Sequence, residues 1–137
     1  MSSLEKSVTA MVQILERAED GEFMSSLDDI TRNAIRAGVI QHFEFTYELC
    51  WKFMQRWIRL NRTPEDGDHP RSRKDLFRMA AHCGLIADQL PWFAYGEARN
   101  ITSHTYDDEK AESVYGTAKQ FVRDTEYLLT KLQKAND

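Results

Sequence analysis

The sequence predicts an all-α protein, an up-and-down antiparallel bundle of four main helices and a short one. Three observations predict it. Apolar residues recur at spacings of three and four, and nowhere alternate as strands do. A Ser or Thr stands three residues ahead of an acid at four places, each before such a stripe: Ser2 with Glu5, Ser25 with Asp28, Ser72 with Asp75, and Thr105 with Asp108. Six glycines and three prolines in 137 residues are too few for a fold built on many tight turns. That length, with 42% apolar residues, fits one domain with its own core, spanning 1–137.

The first helix is expected over 3–19, with Leu4, Val8, Met11, Val12, Leu15 and Ala18 on one stripe and Gly21 as its stop. A second is expected over 26–61, with Gly38 as the place for a bend or close contact. It carries two stripes. Ile40, Phe43, Tyr47, Cys50, Met54 and Trp57 form one, and Phe45, Leu49, Phe53 and Leu60 form the other. A surface helix usually shows a single stripe. The second stripe therefore meets either the chain's own helices or another subunit. Glu48 and Lys52, four residues apart in the favourable order, predict a surface ion pair.

Residues 62–71 read as a polar loop, and its Glu65, Asp66, Asp68 and His69 do not match a calcium-loop spacing. A third helix is expected over 72–83, closed by Gly84, and a shorter one over 88–101, weakened by Gly96. The fourth main helix is expected over 107–134. Ala111, Val114, Tyr115, Ala118, Phe121, Val122, Leu128 and Leu132 lie along it, with Tyr127 less regular.

Composition excludes several function classes. No run of 18 apolar residues spans a membrane, and the N-terminus lacks a basic-then-apolar signal pattern, so the expected location is the cytoplasm. A net charge of -4 does not suit broad, non-specific nucleic-acid binding. The charge is uneven, however. Residues 52–78 hold eight basic groups against four acidic ones, a solvated helix end and loop or a phosphate-facing rim to which Lys52 and Arg56 belong. Cys50 and Cys83, far apart in apolar contexts, read as two reduced, buried thiols. No metal site and no cofactor motif is recognisable.

The stretch EARNITSHTY (97–106) is the place for chemistry. Arg99, Asn100, Ser103, His104 and Tyr106 cluster where regular structure is expected to end. An imidazole passes protons near neutral pH, a guanidinium binds phosphate, and an amide orients an oxygen. Together they suit metal-independent RNA cleavage, with His104 handling the proton and Arg99 the charge of the pentavalent phosphorus. Arg99 and His104 are five residues apart, roughly 140° around a helix, so they meet only where the helix ends or where a second subunit completes the site. A symmetric dimer would also supply a second acid–base group. The bland reading gives Arg99 to helix-end carbonyls and His104 to a linker.

RNAIRAGVIQHFEFTYELCWKFMQ (32–55), with Phe43, Glu44, Tyr47, Glu48, Trp51 and Lys52 as its pattern, together with EARNITSHTYDDEKAESVY (97–115), resembles the nucleotidyltransferase substrate-binding protein family of the HEPN superfamily. The resemblance covers most of the chain. It implies a homodimeric helical bundle and, in many members, a toxin ribonuclease cutting tRNA or mRNA. The family's Arg–polar–His motif falls on Arg99, Asn100 and His104, and its trailing tyrosine on Tyr106. It also implies a minimal nucleotidyltransferase antitoxin that transfers AMP to Tyr106 and silences the nuclease. The alternatives are a non-catalytic subunit that presents substrate to a nucleotidyltransferase, and a structural dimer with a decayed site.

Overall fold

The computed structural model describes residues 2–61, 72–102 and 108–135. They form an all-α bundle, with no strand among them. The helices are α1 (Ser3–Glu19), α2 (Gly21–Ser25), α3 (Asp29–Asn61), α4 (Arg73–His82), α5 (Gln89–Asn100) and α6 (Asp108–Ala135). α3 has 33 residues, about 50 Å, and is the central element. It packs against α1, α4, α5 and α6, while α1 and α5 also touch α6.

Local chemistry sets most of the ends. Ser2 and Glu5 make the reciprocal capping box expected of them. Ser72 accepts from the Asp75 amide at 3.2 Å, although the Asp75 carboxylate turns to Arg78 instead of back to the cap. Gly84, at φ 81, closes α4: its amide reaches the Ala81 carbonyl, and the Leu85 amide reaches Ala80. That pair of bonds needs a left-handed residue, which glycine supplies without a steric cost. The Thr105 cap falls outside the described residues.

One boundary differs from expectation. Gly21 begins a five-residue helix rather than only ending α1, because Asp20 caps it through the Phe23 amide at 3.0 Å. Ser25 lies inside that helix. Asp28 is the residue that caps α3, accepting from Thr31 at 2.7 Å. α3 therefore starts at Asp29 and not near 26.

The core follows the stripes. Leu4, Val8, Met11 and Leu15 of α1 are buried, as are Val114, Ala118, Phe121, Val122, Leu128 and Leu132 of α6. Tyr127 is exposed and Thr125 takes the buried register beside it, which accounts for the irregular spacing. Phe43, Trp92, Tyr95 and Phe121 meet edge to face at 4.8–5.8 Å. Tyr95 also donates to Asp124, tying α5 to α6. Gly38 is indeed a close contact, since a Cβ there would lie 2.5 Å from Ile14 Cδ1. Cys50 is buried and its thiol is pushed up to about 12 by desolvation, whereas Cys83 is only half-buried.

The two stripes of α3 have different fates. Ile40, Phe43, Tyr47, Cys50 and Met54 are buried. On the second stripe Phe45 is 54% and Leu60 72% exposed, and Leu49 and Phe53 are half-covered. The described helices thus cover that face only in part, against the core at Leu49 and Phe53. No described helix is long and apolar enough to cross a membrane.

Candidate functional site

Arg99 lies in the last turn of α5, where other groups meet two of the end carbonyls. The Ile101 amide turns back to Ala98 and the Thr102 hydroxyl donates to the Arg99 carbonyl at 2.7 Å. Among the described residues the Arg99 side chain pairs with carboxylates. It crosses to α3, where Glu44 and Glu48 share a face one turn apart. Its Nη2 stands 3.5 Å from Glu44 Oε1 and its Nε 3.3 Å from Glu48 Oε1.

Glu48 is shared. Arg73, at the start of α4, meets both its oxygens at 3.2 Å in a forked pair. The expected local pair of Glu48 with Lys52 gives way to these two arginines, because α4 and α5 bring in forked donors that bind a carboxylate better than a lysine one turn away. Arg73 also lies over Tyr47 and Trp51, 5.5 and 4.9 Å from their ring centres. Burial pushes the Tyr47 phenol up, while a hydrogen bond from Arg73 works against that rise. For Arg73 burial opposes the charge, yet the bond with Tyr47 and the charge of Glu48 outweigh it and hold the guanidinium's pKa above its usual value.

This network does little for stability. Arg99, Glu44 and Glu48 keep 28–37% of their side-chain surface, and exposed pairs contribute about 0–1 kcal/mol each. It also leaves bonds unmade. Among the described residues, the buried side-chain nitrogens without a hydrogen bond are Arg99 Nε and Trp51 Nε1. Arg99 Nε is close enough to Glu48 for attraction but misaligned for a bond. A cation so held is fixed in place while 31% of its side chain stays exposed. That is what a phosphate-binding arginine needs.

Next to it is a surface cavity of about 160 Å³ between α3, α4 and α5, walled by Tyr47, Phe77 and Phe93 with Arg73, Lys74, Glu97 and Asn100 at its margin. Asn100, exposed at the end of α5, thus lies on the side of Arg73. Gly96 forms part of the wall: a Cβ there would come 3.0 Å from the Tyr47 hydroxyl.

Ser103, His104 and Tyr106 lie outside the described residues, as do Glu65, Asp66, Asp68 and His69. Lys52 is exposed one turn beyond Glu48. Arg56 borders a different groove, of about 270 Å³, with Leu60, Trp57 and Leu132. The cation that shares Glu48 with Arg99 is therefore Arg73, and Lys74 lines the cavity beside Arg73. Both belong to the basic 52–78 segment, and that excess is the signal for them. Residue spacing does not show which of its members α4 brings to α5.

The chain is similar to known proteins over nearly its whole length. A Haemophilus influenzae protein named probable ribonuclease HepT is 35% identical over 136 residues, covering 99% of this chain and 93% of its own length. A solved structure from the same species, described as revealing the fold of a substrate-binding domain of a nucleotidyltransferase, superposes with a TM-score of 0.90. It shares 36% identity over 95% of this chain and 96% of its own. A crystal structure from Thermus thermophilus superposes with a TM-score of 0.75 at 25% identity, over 94% of this chain and 98% of its own. The family described as nucleotidyltransferase substrate binding protein like matches residues 1–134. Glu44 and Glu48 on one motif and Arg99 on the other thus meet within a full-length match, and the chain belongs to the nucleotidyltransferase substrate-binding protein family.

Proposed function

We propose that this protein is a metal-independent endoribonuclease toxin that cuts tRNA or mRNA as a homodimer. The observation that carries the reading is the Arg99 guanidinium, held at the surface by two carboxylates with its Nε unbonded, beside an open cavity. The relative named probable ribonuclease supports the same reading.

In this mechanism the RNA 2′-oxygen attacks the neighbouring phosphorus and its proton passes to a His104 imidazole. The bond from phosphorus to the 5′-oxygen breaks, and a second His104, from the symmetry mate, protonates that oxygen. The products are a cyclic phosphate and a 5′-hydroxyl. Arg99 neutralises the extra charge on the pentavalent phosphorus, and Asn100 orients an oxygen. Phe45, exposed beside Glu44, and Leu60, exposed further along α3, supply apolar surface for the second subunit.

Silencing follows from Tyr106. A partner nucleotidyltransferase would join the Tyr106 oxygen to the α-phosphorus of ATP and release pyrophosphate. The added AMP places negative charge and bulk two residues from His104.

The test is incubation of the purified protein with total RNA beside His104→Ala. Cleavage by the wild type alone is the expected result, and equal cleavage by both proteins overturns the nuclease. For the modification, mass spectrometry after incubation with the partner and ATP should show an AMP adduct that disappears in Tyr106→Phe. A second reading, a non-catalytic subunit presenting substrate to a nucleotidyltransferase, draws on the description of the solved relative. It predicts binding to the partner with no RNA cleavage by any variant.

A further inference from the structure

We propose that the cavity between α3, α4 and α5 is a nucleobase subsite that holds one base of single-stranded RNA next to the phosphate bound by Arg99. The inference rests on the nuclease reading for its substrate, but on different residues for its chemistry.

The size fits one ring system. The cavity is about 160 Å³, and a site of about 150 Å³ is enough for a benzene ring. Its wall is of the right kind: Phe93 is half-buried and offers aromatic surface, with the buried rings of Tyr47 and Phe77 lining the cavity beside it, and stacking on such a ring is how proteins hold unpaired bases. Its margin carries the charge a nucleotide needs. Lys74 Nζ lies 5.6 Å from the Phe93 ring centre, over its face. A base moving onto that ring exchanges the cation–π contact for stacking and leaves the Lys74 ammonium to meet a phosphate.

Continuity with Arg99 is direct. Glu48 Oε1 touches both Arg73 Nη1 and Arg99 Nε, so a single carboxylate separates the cavity margin from the proposed cleavage site. An arriving phosphodiester can meet the exposed part of the Arg99 guanidinium, whose side chain keeps 31% of its surface. Glu97 adds selectivity. Its carboxylate is exposed at the margin and can only accept, so it favours a base bearing an exocyclic amine, such as cytosine, over uracil.

The experiment measures binding of the full-length protein to short 2′-O-methyl oligonucleotides of cytosine and of uracil, which cannot be cleaved. Wild type should prefer cytosine by roughly tenfold, and Glu97→Gln should remove most of that preference. Phe93→Ala should weaken binding of both by roughly tenfold. Because Phe93 is half-buried, Lys74→Ala serves as the variant that leaves packing alone. It should lower the slope of log affinity against log salt by roughly 0.7. Unchanged affinity in Phe93→Ala together with an unchanged slope in Lys74→Ala overturns the subsite. Equal affinity of the wild type for the two oligonucleotides overturns the role of Glu97.

The two readings fail separately. Binding that depends on Phe93 and Lys74 without any RNA cleavage keeps the subsite and removes the nuclease. His104-dependent cleavage at wild-type affinity in both variants does the reverse.

Discussion

Two arginines in this bundle are held in opposite ways. Arg32, in the first turn of α3, gives its Nε to the Met24 carbonyl at 3.1 Å, its Nη2 to the Leu27 carbonyl at 2.7 Å and its Nη1 to Asp29 at 2.8 Å. It ties the carbonyls of Met24 in α2 and Leu27 after it to the first turn of α3. Arg99, among the described residues, pairs with carboxylates instead. It lies between two carboxylates at 3.3 and 3.5 Å, with a buried Nε left without a hydrogen bond. The first arginine has its directed bonds made by the fold. The second has its position set by the fold and its bonding left open, which is the condition for binding something else.

The sharpest way to break this comparison is to truncate both side chains. Arg99→Ala should lower RNA cleavage by about 10²–10³-fold with almost no change in melting temperature. Arg32→Ala should keep cleavage and lose about 2 kcal/mol of stability, read as a shift in the urea midpoint. A reversal, with Arg99→Ala the destabilised variant, would make Arg99 a structural residue.

A pH series separates the buried core from the site. The Cys50 thiol is raised by burial to about 12 from an ordinary value near 9.0, and burial and Asp124 raise the Tyr95 phenol as well. Both groups are held neutral in the folded state and ionise more readily in the unfolded chain. Their contribution is fully present below the unfolded values and declines as pH rises from about 9 toward about 12. The urea midpoint should fall over that range, and Cys50→Ala should flatten the fall. An equally steep fall in Cys50→Ala would assign the effect to other groups.

The smallest expected effect comes from two glycines. Gly116 in α6 has open space around it, so Gly116→Ala should stabilise by about 0.5–1 kcal/mol. The same change at Gly96 sets a methyl 3.0 Å from the Tyr47 hydroxyl, at the wall of the cavity. Gly96→Ala should lose that gain and weaken binding of the cytosine oligonucleotide. Matching thermal shifts for the two variants would show that Tyr47 yields easily.

Much of this is legible in the residues alone. The long helices follow from stripes and caps, which are local: Ser2 with Glu5 and Gly84 after His82 act within a few residues of themselves. α2 escapes such a reading because its cap, Asp20, serves only five residues, too few to show a period. The partner of Glu48 is hidden for a related reason. The i,i+4 rule sees Lys52, whereas Arg73 is 25 positions away and arrives only when α4 folds against α3.

The order of residues by itself determined the helices, the buried stripes and the presence of an arginine, an amide and an imidazole in one short stretch. Those properties depend on side-chain volume, polarity and spacing within a turn or two. Tertiary structure alone decided that Arg99 faces Glu44 and Glu48, that Arg73 rather than Arg56 shares Glu48 with it, and that Phe45 and Leu60 of the second stripe of α3 stay exposed. Such pairings join residues tens of positions apart, and they exist only once packing has set the angles between helices.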